Sequence, residues 1–139
     1  MLDPSHKGKT FSTFTYAVER NKLREFLLAI GEDDPAYAGD DPPLPPTFPT
    51  LFAFWGGTSL EDMLHEVGVE IRNVLHSEQE YEYLAPIHIG DTVRGQAAIT
   101  NIYQKAGMDF MEIVTDYENQ SGIPVLKDRA LIIVRGEGG

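Results

Sequence analysis

Three side chains in one acidic segment could carry acid–base chemistry. The segment Gly31-Glu32-Asp33-Asp34-Pro35-Ala36-Tyr37 offers Glu32, Asp34 and Tyr37 within six residues. A carboxylate and a second proton-transfer group could together hold one water molecule and move its proton. A phenol with a pKa of about 10 is a poor base at neutral pH, whereas an imidazole suits the task. The segment therefore has the carboxylates for such chemistry and lacks the imidazole.

His76 is the candidate base outside this segment. It lies in the alternating run Val74 to Tyr83, which predicts a strand with His76 and Glu78 on one face. Glu32 and His76 could form the acid–base pair, with Glu78 orienting the imidazole. His76 could equally be a polar residue of a half-exposed strand, and both interpretations remain open.

The sequence lacks the motifs of several other site types. It has no P-loop, no dinucleotide-binding GxGxxG and no GxSxG nucleophile elbow. It has no cysteine, so neither a disulfide nor thiolate chemistry is expected. No metal site is predicted, because the spacing of the histidines is not typical of metal ligands: they are His6, His65, His76 and His88.

Charge and length narrow the class of partner. The 139 residues predict one domain, and the net charge of −11, from 22 acidic and 11 basic residues, argues against nucleic acid. No apolar run is long enough for a membrane span, and the N-terminus lacks a secretory apolar segment. Together with the absence of cysteine, this predicts a cytoplasmic protein that does not bind membranes. The basic residues that could meet a nucleotide phosphate are Arg20, Lys22, Arg24 and Arg94.

An aromatic helix is predicted after the acidic loop. Thr47 is its expected N-cap and Gly56-Gly57 its end. Its apolar side chains point in all directions, so burial on every side is expected, and the free N–H groups at its start could face a ligand carbonyl or anion. These side chains are Phe48, Leu51, Phe52, Phe54 and Trp55.

The remaining pattern predicts one α+β domain over residues 11–135, with a flexible arm at 1–10 and a frayed tail at 136–139. A strand over Phe11 to Val18 precedes an amphipathic helix that runs from about Arg20 to Gly31. A short helix capped by Ser59 follows the aromatic helix. We expect a hot-dog fold, an antiparallel sheet of about five strands wrapped round a long central helix. Its last four strands are predicted at 74–83, 92–103, 108–117 and 125–135.

Two short motifs resemble a known family. Asp33-Asp34-Pro35-Ala36-Tyr37 and Leu75-His76-Ser77-Glu78-Gln79, at their spacing from Gly90-Asp91-Thr92, look like the MaoC-like hydratase/dehydratase family, in its N-terminal, fatty-acid-synthase-type branch. The resemblance runs from about Phe11 to Arg135. It implies hydration of a trans-2-enoyl thioester to an (R)-3-hydroxyacyl thioester, or the reverse, on coenzyme A or an acyl carrier protein and without a further cofactor.

The catalytic loop departs from the family pattern. Active members carry Ser-Gly-Asp-x-Asn-Pro-x-His, and here Glu32 stands at the Asp, Asp34 at the Asn and Tyr37 at the His. Some members of the family are degenerate halves that shape the acyl tunnel while a partner supplies the Asp and His. By the resemblance, the substrate-binding residues would be Asp34, Pro35, Thr47, Phe48, Phe52, Trp55 and Gly56.

Three functions remain open. The first is a substrate-binding half that works with a catalytic hot-dog partner. The second is a stand-alone homodimeric acyl-CoA hydratase that uses Glu32 and His76, with Tyr37 at the family's His position. The third is an acyl-CoA thioesterase or an acyl-binding hot-dog protein. An acidic carrier protein would be repelled by this acidic chain, which favours coenzyme A as the thiol.

Overall fold

The computed structural model describes residues 2–136 and contains one five-stranded sheet. The strand order is β1-β3-β4-β5-β2, and every neighbouring pair is antiparallel. The predicted α+β hot-dog class and the number of strands are confirmed. The strands are β1 Phe14–Ala17, β2 Val74–Tyr83, β3 Thr92–Lys105, β4 Met108–Glu118 and β5 Pro124–Val134.

Three α-helices cover one face of the sheet, called the inner face below: α1 Arg20–Ile30, α2 Thr50–Gly56 and α3 Leu60–Glu66. The predicted end of α1 is confirmed, because Gly31 adopts a left-handed φ of 72° and donates its N–H to the last turn. The predicted cap of α3 is also confirmed, because the Ser59 hydroxyl accepts the N–H of Asp62.

The core consists of two apolar clusters on the inner face. They lie at opposite ends of the long strands, and each joins strand residues to helix residues. The first cluster includes Leu64, Ile99, Met111, Ile113, Ile132 and Val134. The second cluster includes Tyr16, Leu23, Phe48, Phe52, Tyr117 and Leu126.

The central helix is shorter and less buried than predicted. It begins at Thr50 rather than after Thr47, and Pro49 takes the N-cap position. It spans seven residues, and only one side is buried: Phe52 is 0% exposed, whereas Phe54 and Trp55 are 71% and 70% exposed. Residues 46–49, which the sequence analysis assigned to the start of the helix, form successive turns instead.

The N-terminal segment is docked on the sheet, although the sequence predicted a flexible arm over 1–10. Gly8 donates its N–H to the carbonyl of Ile99, and Ile99 donates to Lys9. Leu2 is 5% exposed, and its N–H donates to the Asp109 carboxylate at 2.6 Å. Only residue 136 of the predicted frayed tail at 136–139 lies within the described residues. No helix within residues 2–136 combines the length and the hydropathy that a membrane crossing requires.

Candidate functional site

The acidic loop is held in shape by its own carboxylates. Glu32 accepts the N–H of Asp34 at 2.9 Å, and Asp34 accepts the N–H of Ala36 at 2.8 Å. Asp34 thereby caps the 3-10 turn Pro35–Ala38, in which Pro35 occupies the first position. The Glu32 carboxylate, the predicted catalytic group, therefore has one oxygen engaged in loop structure.

Three predicted site residues line one cleft. Glu32, Asp34 and Tyr37 form one wall of a cleft of about 340 Å³. The opposite wall comes from α1 and includes Arg20 and Arg24. Tyr37 is half-buried, whereas Glu32 and Asp34 are exposed, so the cleft opens to solvent. The structure thus brings the loop residues together beside two guanidinium groups.

Of the four basic residues considered for phosphate binding, two line the loop cleft, Arg20 and Arg24, and the other two lie elsewhere. Arg20 donates to the carbonyl of Gly39 at 3.1 Å, which ties the end of the loop to α1. Lys22 pairs with Glu25 at 2.6 Å, and Arg94 lies 3.5 Å from Glu118. Arg24 remains in the cleft as a candidate cation for a phosphate.

His76 lies on the inner face of the sheet, at its edge. It is paired with Ile132, and the register shifts between His76 and Glu78. This bulge places His76 on the same face as Gln79 and Tyr81. The predicted strict alternation, which placed His76 and Glu78 together, is therefore wrong. His76 Nε2 lies 3.1 Å from the carbonyl oxygen of Glu78.

The carboxylate of Glu78 serves an ion-pair network on the outer face. It lies 3.1 Å from the Arg129 guanidinium, which also binds Glu112 at 2.7 Å. Glu78 therefore does not orient the His76 ring through its carboxylate, as the sequence had suggested. Glu32 lies in the loop cleft, which His76 does not line.

The aromatic residues predicted to line an acyl tunnel divide into two groups. Phe48 and Phe52 are both 0% exposed and pack edge to face with their ring centroids 6.0 Å apart, so they belong to the core and line no open surface. Trp55 is exposed, and the Lys22 ammonium lies 5.5 Å from its ring centroid. Gly56 packs against β1, since a Cβ there would lie 2.6 Å from the Thr15 carbonyl oxygen.

The N–H groups before and within the first turn of α2 are largely engaged. Phe48 donates to Pro45 at 2.9 Å, and Leu51 donates to Phe48 at 3.0 Å. Thr50 likewise donates to Thr47 at 3.1 Å. The sequence had predicted free N–H groups facing a ligand, but these N–H groups donate to backbone carbonyls within the turns of the proline-rich segment. Thr47 itself is exposed.

A row of polar residues crosses the inner face between the two apolar clusters, and sequence reasoning missed it. Tyr81, Asp128 and Thr115 are register neighbours on β2, β5 and β4. We call these three residues the polar row. Along β5, Asp128 lies between Leu126 of the second cluster and Ala130, which packs on the first. The signal in the sequence was a charged residue among the otherwise apolar inward-facing positions of β5.

Neighbouring side chains bind the polar row. The Gln79 amide donates to the Asp128 carboxylate. The Tyr81 hydroxyl lies 2.7 Å from the hydroxyl of Thr50, the first residue of α2. Asp128 is half-buried, and this burial raises its pKa to about 6, although the Gln79 hydrogen bond and nearby His76 act in the opposite direction.

Because the pKa of Asp128 is raised, we expect the stabilities of wild type and of an Asp128→Asn variant to differ in a pH-dependent way. The pKa of Asp128 rises from 3.8 to about 6 on folding, so between these two pH values the native carboxyl keeps its proton while the unfolded one loses it. The free energy of unfolding of wild type therefore falls as the pH rises from about 4 to about 6. Asp128→Asn removes this ionisation. At pH 8 we expect the variant to be more stable than wild type, by on the order of 2 kcal/mol.

Urea unfolding at pH 4 and pH 8 checks this expectation. At pH 4 the difference should shrink, because most of the wild-type carboxyl is then protonated in the native state. Asp116→Asn, on the exposed outer face of β4, is the matched control and should change stability by less than about 0.5 kcal/mol at both pH values. An equal effect of Asp128→Asn at both pH values would contradict the assigned ionisation.

The chain matches a described family over most of its length. Residues 5–128 match the model described as FAS1-like, dehydratase domain region. A UPF0336 protein of Cutibacterium acnes is 31% identical over 116 residues, which cover 83% of this chain and 81% of that protein. Within residues 2–136, no group of three or more histidine, aspartate or glutamate side chains is arranged to hold a metal ion.

Solved structures share the fold. One is the C-terminally truncated HadBC (3R-hydroxyacyl-ACP dehydratase) complex of Mycobacterium tuberculosis, with a TM-score of 0.76, 21% identity, and 92% of this chain and 96% of that chain covered. Another is a MaoC-like dehydratase of Phytophthora capsici, with a TM-score of 0.79 and 23% identity. All of this chain aligns with 51% of that second chain.

Proposed function

The chain belongs to the FAS1-like dehydratase domain family and shares the fold of MaoC-like dehydratases. On this basis we propose that it is the substrate-binding half of an enoyl-thioester hydratase. The complex would add water to a trans-2-enoyl thioester to give an (R)-3-hydroxyacyl thioester, or catalyse the reverse reaction. A hot-dog partner would supply the catalytic Asp and His. The thioester would be carried by coenzyme A.

The geometry of the acidic loop carries this proposal. Tyr37 occupies the position of the family's imidazole, and its phenol is a poor proton acceptor near neutral pH. Glu32 uses one carboxylate oxygen to cap the backbone at Asp34. The loop keeps a cleft that can hold a ligand, while the pair that would activate water is missing from it.

The open edge of the sheet supports a partner subunit. Among residues 2–136, β2 has β5 on one side and no strand on the other, over ten residues. An exposed edge of this length is a ready site for pairing with another chain. The HadBC dehydratase, which shares the fold, is a complex. A partner with a basic surface would be attracted by this chain's net charge of −11.

The stand-alone hydratase is less well supported. It needs Glu32 and His76 to hold the same water molecule. Glu32 lines the cleft against α1, whereas His76 contacts its own strand at the sheet edge. A homodimer would have to bring these two groups together across its interface.

Thioester hydrolysis is a second candidate, and one observation favours it. Thioesterases of this fold usually place a carboxylate on or beside the central helix, and the sequence of α2 contains none. Asp128 is the register neighbour of Tyr81, whose hydroxyl contacts Thr50 in α2. A carboxylate of the sheet is therefore the register neighbour of a residue that contacts the helix.

Incubation of the purified chain with crotonyl-coenzyme A tests the proposal. We expect binding by calorimetry but no hydration above background, measured as loss of the ultraviolet absorbance of the conjugated thioester. Hydration at a normal enzymatic rate by the chain alone would overturn the proposal. Release of free coenzyme A, measured with a thiol reagent, would instead support the thioesterase function.

A further inference from the structure

An apolar row crosses the outer face of the sheet, the face turned away from the three helices. We call it the outer row, and its members are register neighbours on β2, β5, β4 and β3: Leu75, Ile133, Phe110 and Tyr103. Leu75 is 45% exposed and Tyr103 is 39% exposed. The second face of an antiparallel sheet is normally polar when water covers it. The outer row therefore indicates that another molecule covers this part of the face.

The outer row belongs to a wider and well-packed apolar surface. The rings of Tyr103 and Phe110 stack with their centroids 4.9 Å apart and their planes 8° from parallel. Leu131 lies beside the row and is buried, although it belongs to neither cluster of the core. Because neighbouring strands already hold these side chains, covering them would cost little conformational entropy.

The outer face is nearly neutral in a strongly acidic chain. Within residues 2–136, six acidic and five basic side chains of strands β2 to β5 and of Arg135 belong to it, whereas the whole chain has 22 acidic and 11 basic residues. Two copies of the chain repel each other through most of their surfaces, but only weakly through this face. Its charged residues are Glu78, Glu80, Glu82, Glu112, Asp116 and Glu118, and Arg94, Lys105, Lys127, Arg129 and Arg135.

The two sides of the outer row carry charges of opposite sign. On one side, Lys105 and Arg135 lie two residues beyond the row along β3 and at the end of β5. On the other side, Leu131 pairs with both Glu78 and Glu112, whose shared partner Arg129 leaves this group with a net negative charge. A two-fold axis along the row would place the rows of two copies on each other and the basic side of each copy against the acidic side of the other.

We propose that the outer face is the docking surface for a second copy of this chain, with the two outer rows packed on each other about a two-fold axis. This inference goes beyond the proposed function, because the hydratase partner would pair with the β2 edge and leave the outer face free. The complete assembly would then contain two copies of this chain, back to back, each with its own catalytic partner.

Sedimentation velocity of the full chain, from low micromolar to several hundred micromolar, tests the inference. An interface made by one face of four strands is small, so we expect a weak self-association that increases with concentration. Tyr103→Glu should weaken it by at least about 100-fold, because the contact would then bury one unpaired carboxylate from each copy. Tyr103 lies on β3, which β4 and β5 separate from the β2 edge, so this variant does not disturb pairing at that edge.

Leu28→Glu is the matched control, since Leu28 is an apolar residue of α1 that is 82% exposed and lies away from the outer face. It should leave self-association unchanged. If Tyr103→Glu does not fold, Tyr103→Thr serves in its place, because threonine suits a strand and removes only the ring.

A charge exchange tests the orientation of the two copies. Arg135→Glu alone should weaken self-association by about 10-fold, because it would then face the acidic side of the other copy. Adding Glu78→Lys should restore it, since the exchanged charges attract again. Glu78 is exposed, so its lost pairing with Arg129 should cost the fold little.

A chain that stays monomeric at the highest concentration overturns the inference. Self-association that survives in folded Tyr103→Glu overturns it as well, since the copies would then meet through the β2 edge or another surface. Arg135→Glu without rescue by Glu78→Lys overturns the two-fold arrangement on which the inference stands. Loss with Tyr103→Glu, retention in Leu28→Glu and rescue by the charge exchange support it. The proposed function is tested by thioester binding and hydration, so either can fail without the other.

Discussion

Restoring the family motif with Glu32→Asp, Asp34→Asn and Tyr37→His is expected to give the isolated chain a hydratase activity at least about 100-fold above that of wild type. A positioned acid–base group contributes about 10²-fold to 10⁴-fold to a proton-transfer step. The loop should keep its conformation, because asparagine at position 34 can still cap the turn that Asp34 now caps. The imidazole at position 37 would then face the cleft that Tyr37 lines.

The measurement is the hydration of crotonyl-coenzyme A by the triple variant and by wild type at the same concentration. The matched control is the double variant Glu32→Asp, Asp34→Asn, which keeps Tyr37 and should remain inactive because its base is still a phenol. A triple variant that is folded, binds the thioester and hydrates nothing would count against this loop as the place where the chain meets substrate. It would also weaken the interpretation of the wild-type loop as a degenerate catalytic motif.

The second large effect concerns stability. Phe52→Ala is expected to lower the free energy of unfolding by about 3–5 kcal/mol, as is typical of phenylalanine truncation in a core. Phe52 is 0% exposed, and its ring packs 5.1 Å from Tyr16 and 5.4 Å from Tyr117, centroid to centroid. The Phe52 side chain holds α2 to the sheet, so removing its ring would also loosen the turns that precede the helix.

Urea unfolding monitored by far-ultraviolet circular dichroism measures this loss. Phe54→Ala is the matched control, since Phe54 belongs to the same helix and is 71% exposed. The control should change the free energy of unfolding by no more than about 0.5 kcal/mol. Similar costs for the two variants would mean that α2 is covered on both sides in solution, as it would be in an assembly that buries Phe54.

Local signals in the sequence determined the fold class and most of the secondary structure. The left-handed Gly31 after an amphipathic run ended α1, and Ser59 with Asp62 began α3. The four long strands were found because their alternation and their turns lie within short stretches of chain. The loop residues Glu32, Asp34 and Tyr37 meet in one cleft because they are neighbours in sequence and α1 supports them.

Three features depend on contacts between residues distant in sequence, and only the tertiary structure revealed them. The bulge in β2 set the face of His76, and docking on β3 ordered the N-terminal segment. The one-sided burial of α2 depends on what the sheet covers, which the composition of the helix does not reveal.

The polar row shows this division most clearly. Asp128, Tyr81 and Thr115 come from three strands, and only the register between those strands makes them neighbours. Alternation along β5 could mark Asp128 as facing inward, but no local pattern states which residues lie beside it. The sequence by itself therefore determined most of the elements, the fold class and the altered loop. The structure decided which polar groups share the inner face, because register is fixed by the burial of whole strands rather than by any one residue.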